Sequence, residues 1–92
     1  MSLLIVVAET FEFQDGTLHL APAVPFAIVE NLKQGDQLEL LRPDGTSVKT
    51  RLHCFDFLVP SREKIGLCLN KPLTKADIPA GTEVWTVASS EP

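Results

Sequence analysis

Few side chains in this 92-residue chain could do chemistry: two histidines, His19 and His53, two cysteines, Cys54 and Cys68, and dispersed carboxylates and cations. Neither histidine has an acidic or cysteine partner at a recognised metal-ligand spacing, and there is no Cys-x-x-Cys pair, so neither metal nor cofactor is expected. His53 adjoins Cys54, but neighbours on a strand point to opposite faces, which separates a would-be base from its nucleophile. The expectation is a surface imidazole beside a reduced, buried thiol, with no catalytic residue. A disulfide between adjacent strands is the lesser reading of the two cysteines.

The cations are more suggestive. Lys49, Arg51 and His53 alternate along one face of a strand-like run, and Arg62 and Lys64 lie close enough in sequence to fall nearby. Such a stripe is either a solvated strand face or a surface for an anionic partner, either RNA or an acidic protein. A net charge of −4 opposes a long-range grip on phosphates, leaving only a local patch to provide one.

The elements that would carry these residues read as short strands closed by Gly, Pro, Asn or Asp, the pattern of a sandwich or barrel. The first runs from Leu3 to about Phe13 and turns at Gln14-Asp15-Gly16. The second, Thr17 to Leu20, ends where Pro22 and Pro25 cannot donate to a ladder. Phe26 to Val29 reads as a short strand. A Gly35-Asp36 step opens a strand through Leu38 and Leu40, Pro43-Asp44-Gly45 makes a type I turn with a bulge, and an antiparallel return follows. On that return Val48, Thr50, Leu52 and Cys54 share a face.

Further on, Pro60 to Lys64 reads as a loop and Ile65 to Leu69 as a strand apolar on both faces. Thr74-Lys75-Ala76-Asp77 reads as one capped helical turn, and Thr82 to Val87 as the last strand. Five phenylalanines and one tryptophan are expected mostly in the core; Phe55 or Phe57, if exposed, would offer a stacking surface. The apolar residues of the Pro-flanked insert, Val24, Phe26 and Ile28, are candidates for contact with a second copy. The apolar opening, Leu3 to Ala8, is too short to cross a membrane or form a signal-peptide core, so a cytoplasmic location is expected.

"ETFEFQDGTLHL", "NLKQGDQLELL", "VKTRLHCF" and "SREKIGLCLNKPLTKADIPAGTEVW" follow one another in the order of the second domain of elongation factor Tu and related translational GTPases. They resemble, in turn, its entry strand and Gly turn, its Gly-Asp strand start, the strand after the variable hairpin and its closing segment. The resemblance covers Glu9 to Val87. It implies an all-β, six- to seven-stranded closed Greek-key barrel over residues 1–88, with 89–92 as a polar tail.

It also implies a stand-alone binding module that docks RNA or a protein partner. Without a phosphate-cradling Gly-rich loop, GTP binding is not expected. The family's Gly-Arg-Gly-type turn is replaced by Gln14-Asp15-Gly16, so its aminoacyl-tRNA contacts do not carry over residue by residue. The rivals are a small ligand-binding or enzymatic barrel, which would set His19 or His53 against a carboxylate in a deep pocket, and a structural oligomerisation domain.

Overall fold

A computed structural model describes residues 2–56, 63–70 and 73–87. Among them are eight strands: β1 Leu3–Val6, β2 Glu9–Glu12, β3 Leu18–Pro25, β4 Gln37–Leu41, β5 Ser47–Arg51, β6 Cys54–Asp56, β7 Lys64–Leu69 and β8 Glu83–Thr86. They form two antiparallel four-stranded sheets, ordered β1-β8-β4-β5 and β2-β3-β7-β6. The chain is therefore all-β, and no helix among the described residues is long and apolar enough to cross a membrane.

Eight strands replace the six or seven expected because long runs break at corners. The run from Leu3 to Phe13 divides at Val7 and Ala8, whose N–H groups donate to Thr82 O and Ala21 O, one on the β8 side and one on the β3 side. A buried Val7 pins the corner. The run from Ser47 to Asp56 divides likewise at Leu52 and His53, where Leu52 N donates to Asp36 O and His53 N to Cys68 O. Both edge strands of the first sheet thus continue, through two-residue corners, into the edge strands of the second.

At the second corner the face alternation slips. Leu52 is buried and Phe55 packs on the core, three residues apart, so Cys54 does not share the inward face of Leu52 as simple period-two counting requires. Elsewhere the alternation holds. Leu38 and Leu40 are fully buried while Gln37 and Leu41 are exposed, and Leu18 and Leu20 point inward on either side of His19. β7, central in its sheet, is buried from Ile65 to Leu69: Ile65, Leu67 and Leu69 belong to the core, while Gly66 and Cys68 are covered by the Asp56 and His19 side chains of the neighbouring strands.

The hairpin between β4 and β5 forms as its turn residues dictate. Gly45 N donates to Arg42 O, Arg42 N to Thr46 O, and Gly45 takes φ +91°, the left-handed conformation that non-glycine residues enter only at a cost. Lys75–Asp77 is a single 3-10 turn with a full capping box between Thr74 and Asp77. Phe26–Val29 is a short α-helix, α1, in place of the strand read from the sequence, and Pro25 at its N-cap presets the entry.

The core is aliphatic, which corrects the expectation for the rings. Leu4, Ile5, Leu38, Leu40 and Val84 from one sheet meet Leu18, Leu20, Ile65, Leu67 and Leu69 from the other. Phe11, Phe13 and Phe26 are 45%, 48% and 40% exposed, and Phe55 only borders the core. On β2 it is Thr10 that turns inward, its hydroxyl donating to Ile78 O at 3.3 Å, so Phe11 is set outward by parity.

Candidate functional site

Two clusters of polar side chains emerge. The first lies at the corner between β5 and β6, where a groove of about 500 Å³ is lined by Gln34, Gly35, Lys49, Thr50, Arg51, Leu52, His53 and Asn70. Three of the five cations and imidazoles singled out in the sequence are thereby brought together: Lys49 and Arg51 lie two apart on β5, and His53 follows them in the corner. Arg51 is held in place: its Nη1 donates to Gly35 O at 2.9 Å. His53 Nδ1 has Asn70 Nδ2 at 3.5 Å.

Among the described residues, no carboxylate lines the groove. Across the β4–β5 ladder Arg51 faces Gln37, and Lys49 faces Glu39. Lys64 does not join them. It begins β7 opposite Pro25, six residues and roughly 20 Å of extended strand from Asn70. Arg62, Phe57 and the tail 89–92 lie outside the described residues.

Of the residues expected at an oligomer contact, Val24 is a core residue, 2% exposed, because β3 alternation turns it inward opposite Ile65; it cannot meet a second copy. Phe26 and Ile28 stand exposed on α1.

The second cluster sits on the outer face of the β3–β7–β6 sheet. The registers set His19 opposite Cys68, Cys68 opposite Cys54 and Gly66 opposite Asp56. His19 Nδ1 donates to Asp56 Oδ2 at 2.8 Å and lies 3.4 Å from Cys68 Sγ. The Phe13 ring stacks on the imidazole with centroids 3.9 Å apart. A Cβ at residue 66 would come within 2.9 Å of Asp56 Cβ, so only glycine there admits the carboxylate.

Sequence spacing carries no hint of this cluster. Its residues come from three strands, and only the strand registers bring them together. His19 against a carboxylate is the mark of the enzymatic rival, yet the arrangement is not a Cys-His-Asp relay. Asp56 and Cys68 both face the same ring nitrogen, whereas a relay orients one nitrogen with the acid and works on the nucleophile with the other. Cys68 is moreover fully buried. Burial, and then the Cys54 side chain, push its thiol well above the ordinary cysteine range, the reverse of what a nucleophile needs. Both cysteines are free thiols.

No protein-family model matches the chain, and no curated protein does.

Proposed function

We propose that the chain is a non-catalytic binding module of the type of the elongation factor Tu second domain, and that it docks single-stranded RNA in the groove at the β5–β6 corner. The observation that carries this reading is the convergence of Lys49, Arg51 and His53 on one open groove with no carboxylate among its described lining residues. Two cations and an imidazole suit consecutive phosphates. The corner strands support the closed form of the fold: with β1 running into β2 and β5 into β6, the two sheets read as one six-stranded Greek-key cylinder. A net charge of −4 makes such binding short-ranged and selective for the groove.

The test is fluorescence anisotropy of a labelled single-stranded RNA with the wild type and with Lys49→Glu/Arg51→Glu, each checked for an unchanged circular dichroism spectrum. The double variant should bind more weakly at low salt. Its plot of log affinity against log salt should be shallower by about 1.4, at roughly 0.7 for each single-strand phosphate that is no longer neutralised. Equal affinity and equal slope in the two proteins would exclude the groove. Binding of an acidic peptide in place of RNA would move the module to a protein partner.

A further inference from the structure

The geometry points to a second site, independent of the groove: His19, Asp56 and Cys68 form a three-ligand site for a borderline divalent cation of the Zn²⁺ class on the outer face of the β3–β7–β6 sheet. The nitrogen, oxygen and sulfur atoms concerned all lie within 4.8 Å of one another. Bond lengths of about 2.0–2.3 Å around a tetrahedral ion put neighbouring ligand atoms about 3.3–3.7 Å apart. Cys68 Sγ and His19 Nδ1 already stand at 3.4 Å. His19 Nδ1 and Asp56 Oδ2, at 2.8 Å, need to open by roughly half an ångström, within the reach of side-chain rotation.

The ligand set selects the ion. Imidazole, carboxylate and thiol together suit Zn²⁺, whereas Mg²⁺ and Ca²⁺ seek oxygen alone. A hydrogen-bonded His19–Asp56 pair would need no thiol, since sulfur is a weak hydrogen-bonding group. Its placement at Nδ1 adds little to the pair but completes a ligand set. The surroundings also hold the ligands in place: Phe13 fixes the imidazole plane, the β3–β7 register fixes His19 over Cys68, and Gly66 leaves room for Asp56. His19 and Asp56 are partly exposed above the buried sulfur, which gives an ion a way in.

On binding, the Cys68 S–H bond breaks and its proton goes to solvent as the S–metal bond forms, the charge of the cation offsetting the burial that keeps the free thiol protonated. The imidazole proton shifts from Nδ1 to Nε2, and water takes the fourth position. No electron is transferred. Cys54 stands opposite Cys68 on β6 but is not one of the three grouped ligand residues.

The experiment titrates the reduced full chain, kept in a non-thiol reductant, with Co²⁺ as the spectroscopic probe and Zn²⁺ as competitor. One equivalent of Co²⁺ should give a thiolate-to-cobalt charge-transfer band in the near ultraviolet and strong visible absorption, both erased by one equivalent of Zn²⁺. Because this readout uses the wild type, it stands even if a variant folds poorly. Cys68→Ser should abolish the charge-transfer band and Cys54→Ser should keep it. His19→Gln should weaken Zn²⁺ by more than the roughly 10–100-fold typical of losing a group outside the ligand set. Absence of the band in the wild type, its survival in Cys68→Ser, its loss in Cys54→Ser, or undiminished Zn²⁺ affinity in His19→Gln would each overturn the proposal.

Discussion

The groove at the β5–β6 corner and the cluster on the outer face of the β3–β7–β6 sheet are both polar assemblies on a small aliphatic core, but they are built differently. The groove's charge comes from alternate residues of one segment, Lys49, Arg51 and His53, and needs only the β4–β5 hairpin to present it. The cluster takes one residue from each of three strands and depends on two registers and a glycine. Electrostatics placed along one strand tolerates small shifts, because charge acts over several ångströms. Ligand geometry assembled across strands does not.

That difference can be broken most sharply at Gly66. Gly66→Ala sets a methyl 2.9 Å from Asp56 Cβ, with the strand backbone unable to yield freely. It should cost about 1–3 kcal/mol in urea unfolding and abolish Co²⁺ binding while leaving RNA affinity unchanged. A variant as stable as wild type, with the cluster intact, would show that the close approach at Gly66 does not control Asp56.

The matching change on the groove side is smaller. Gly35 has φ +91° and open space where a side chain would go, so Gly35→Ala meets strain without a clash. It should cost roughly 1–2 kcal/mol and weaken RNA binding by displacing the carbonyl that holds Arg51, with no effect on Co²⁺. Equal loss of both binding activities would mean that the two regions are coupled through the fold.

The smallest effect is in acid. Hydrogen bonds from the Thr74 backbone and hydroxyl, then the Arg42 charge, hold Asp77 below the usual carboxylate value of 3.8; Asp15 and Asp44 are lowered by their bonds from Thr17 and Thr46. A carboxyl lowered on folding contributes stability that is fully present above its unfolded value and is lost as pH falls through the folded one. Stability should therefore be flat from pH 7 to about 5 on account of these groups and decline below about pH 4. Asp77→Asn should flatten part of that acid limb in thermal melts. An unchanged limb would mean that the Thr74–Asp77 cap contributes nothing to acid stability.

How far each region is legible from sequence follows from the same contrast. The Pro43-Asp44-Gly45 hairpin, the inward Leu38 and Leu40 and the capped turn at Thr74 are local: a few neighbouring residues fix them, and all three are present. The corners at Val7 and Leu52 leave no mark, because a strand that bends from one sheet to another keeps an apolar pattern across the bend. Unbroken alternation through the second corner therefore assigns Cys54 to the wrong face. Ring size alone argues for Phe11 and Phe13 in the core, but the parity of Thr10 decides. His19, Asp56 and Cys68 leave no spacing signature, since separations within a sheet are set by topology and not by sequence distance.

The central claim, that the β5–β6 corner is where this module holds its ligand, is tested most directly by following backbone amide resonances of the wild type during titration with a single-stranded RNA. Shifts should be confined to Gln34, Gly35, Lys49, Arg51, His53 and Asn70, with His19, Cys68, Phe26 and Ile28 still. A footprint on α1 or on the β3–β7–β6 face, or no footprint at all, would contradict it.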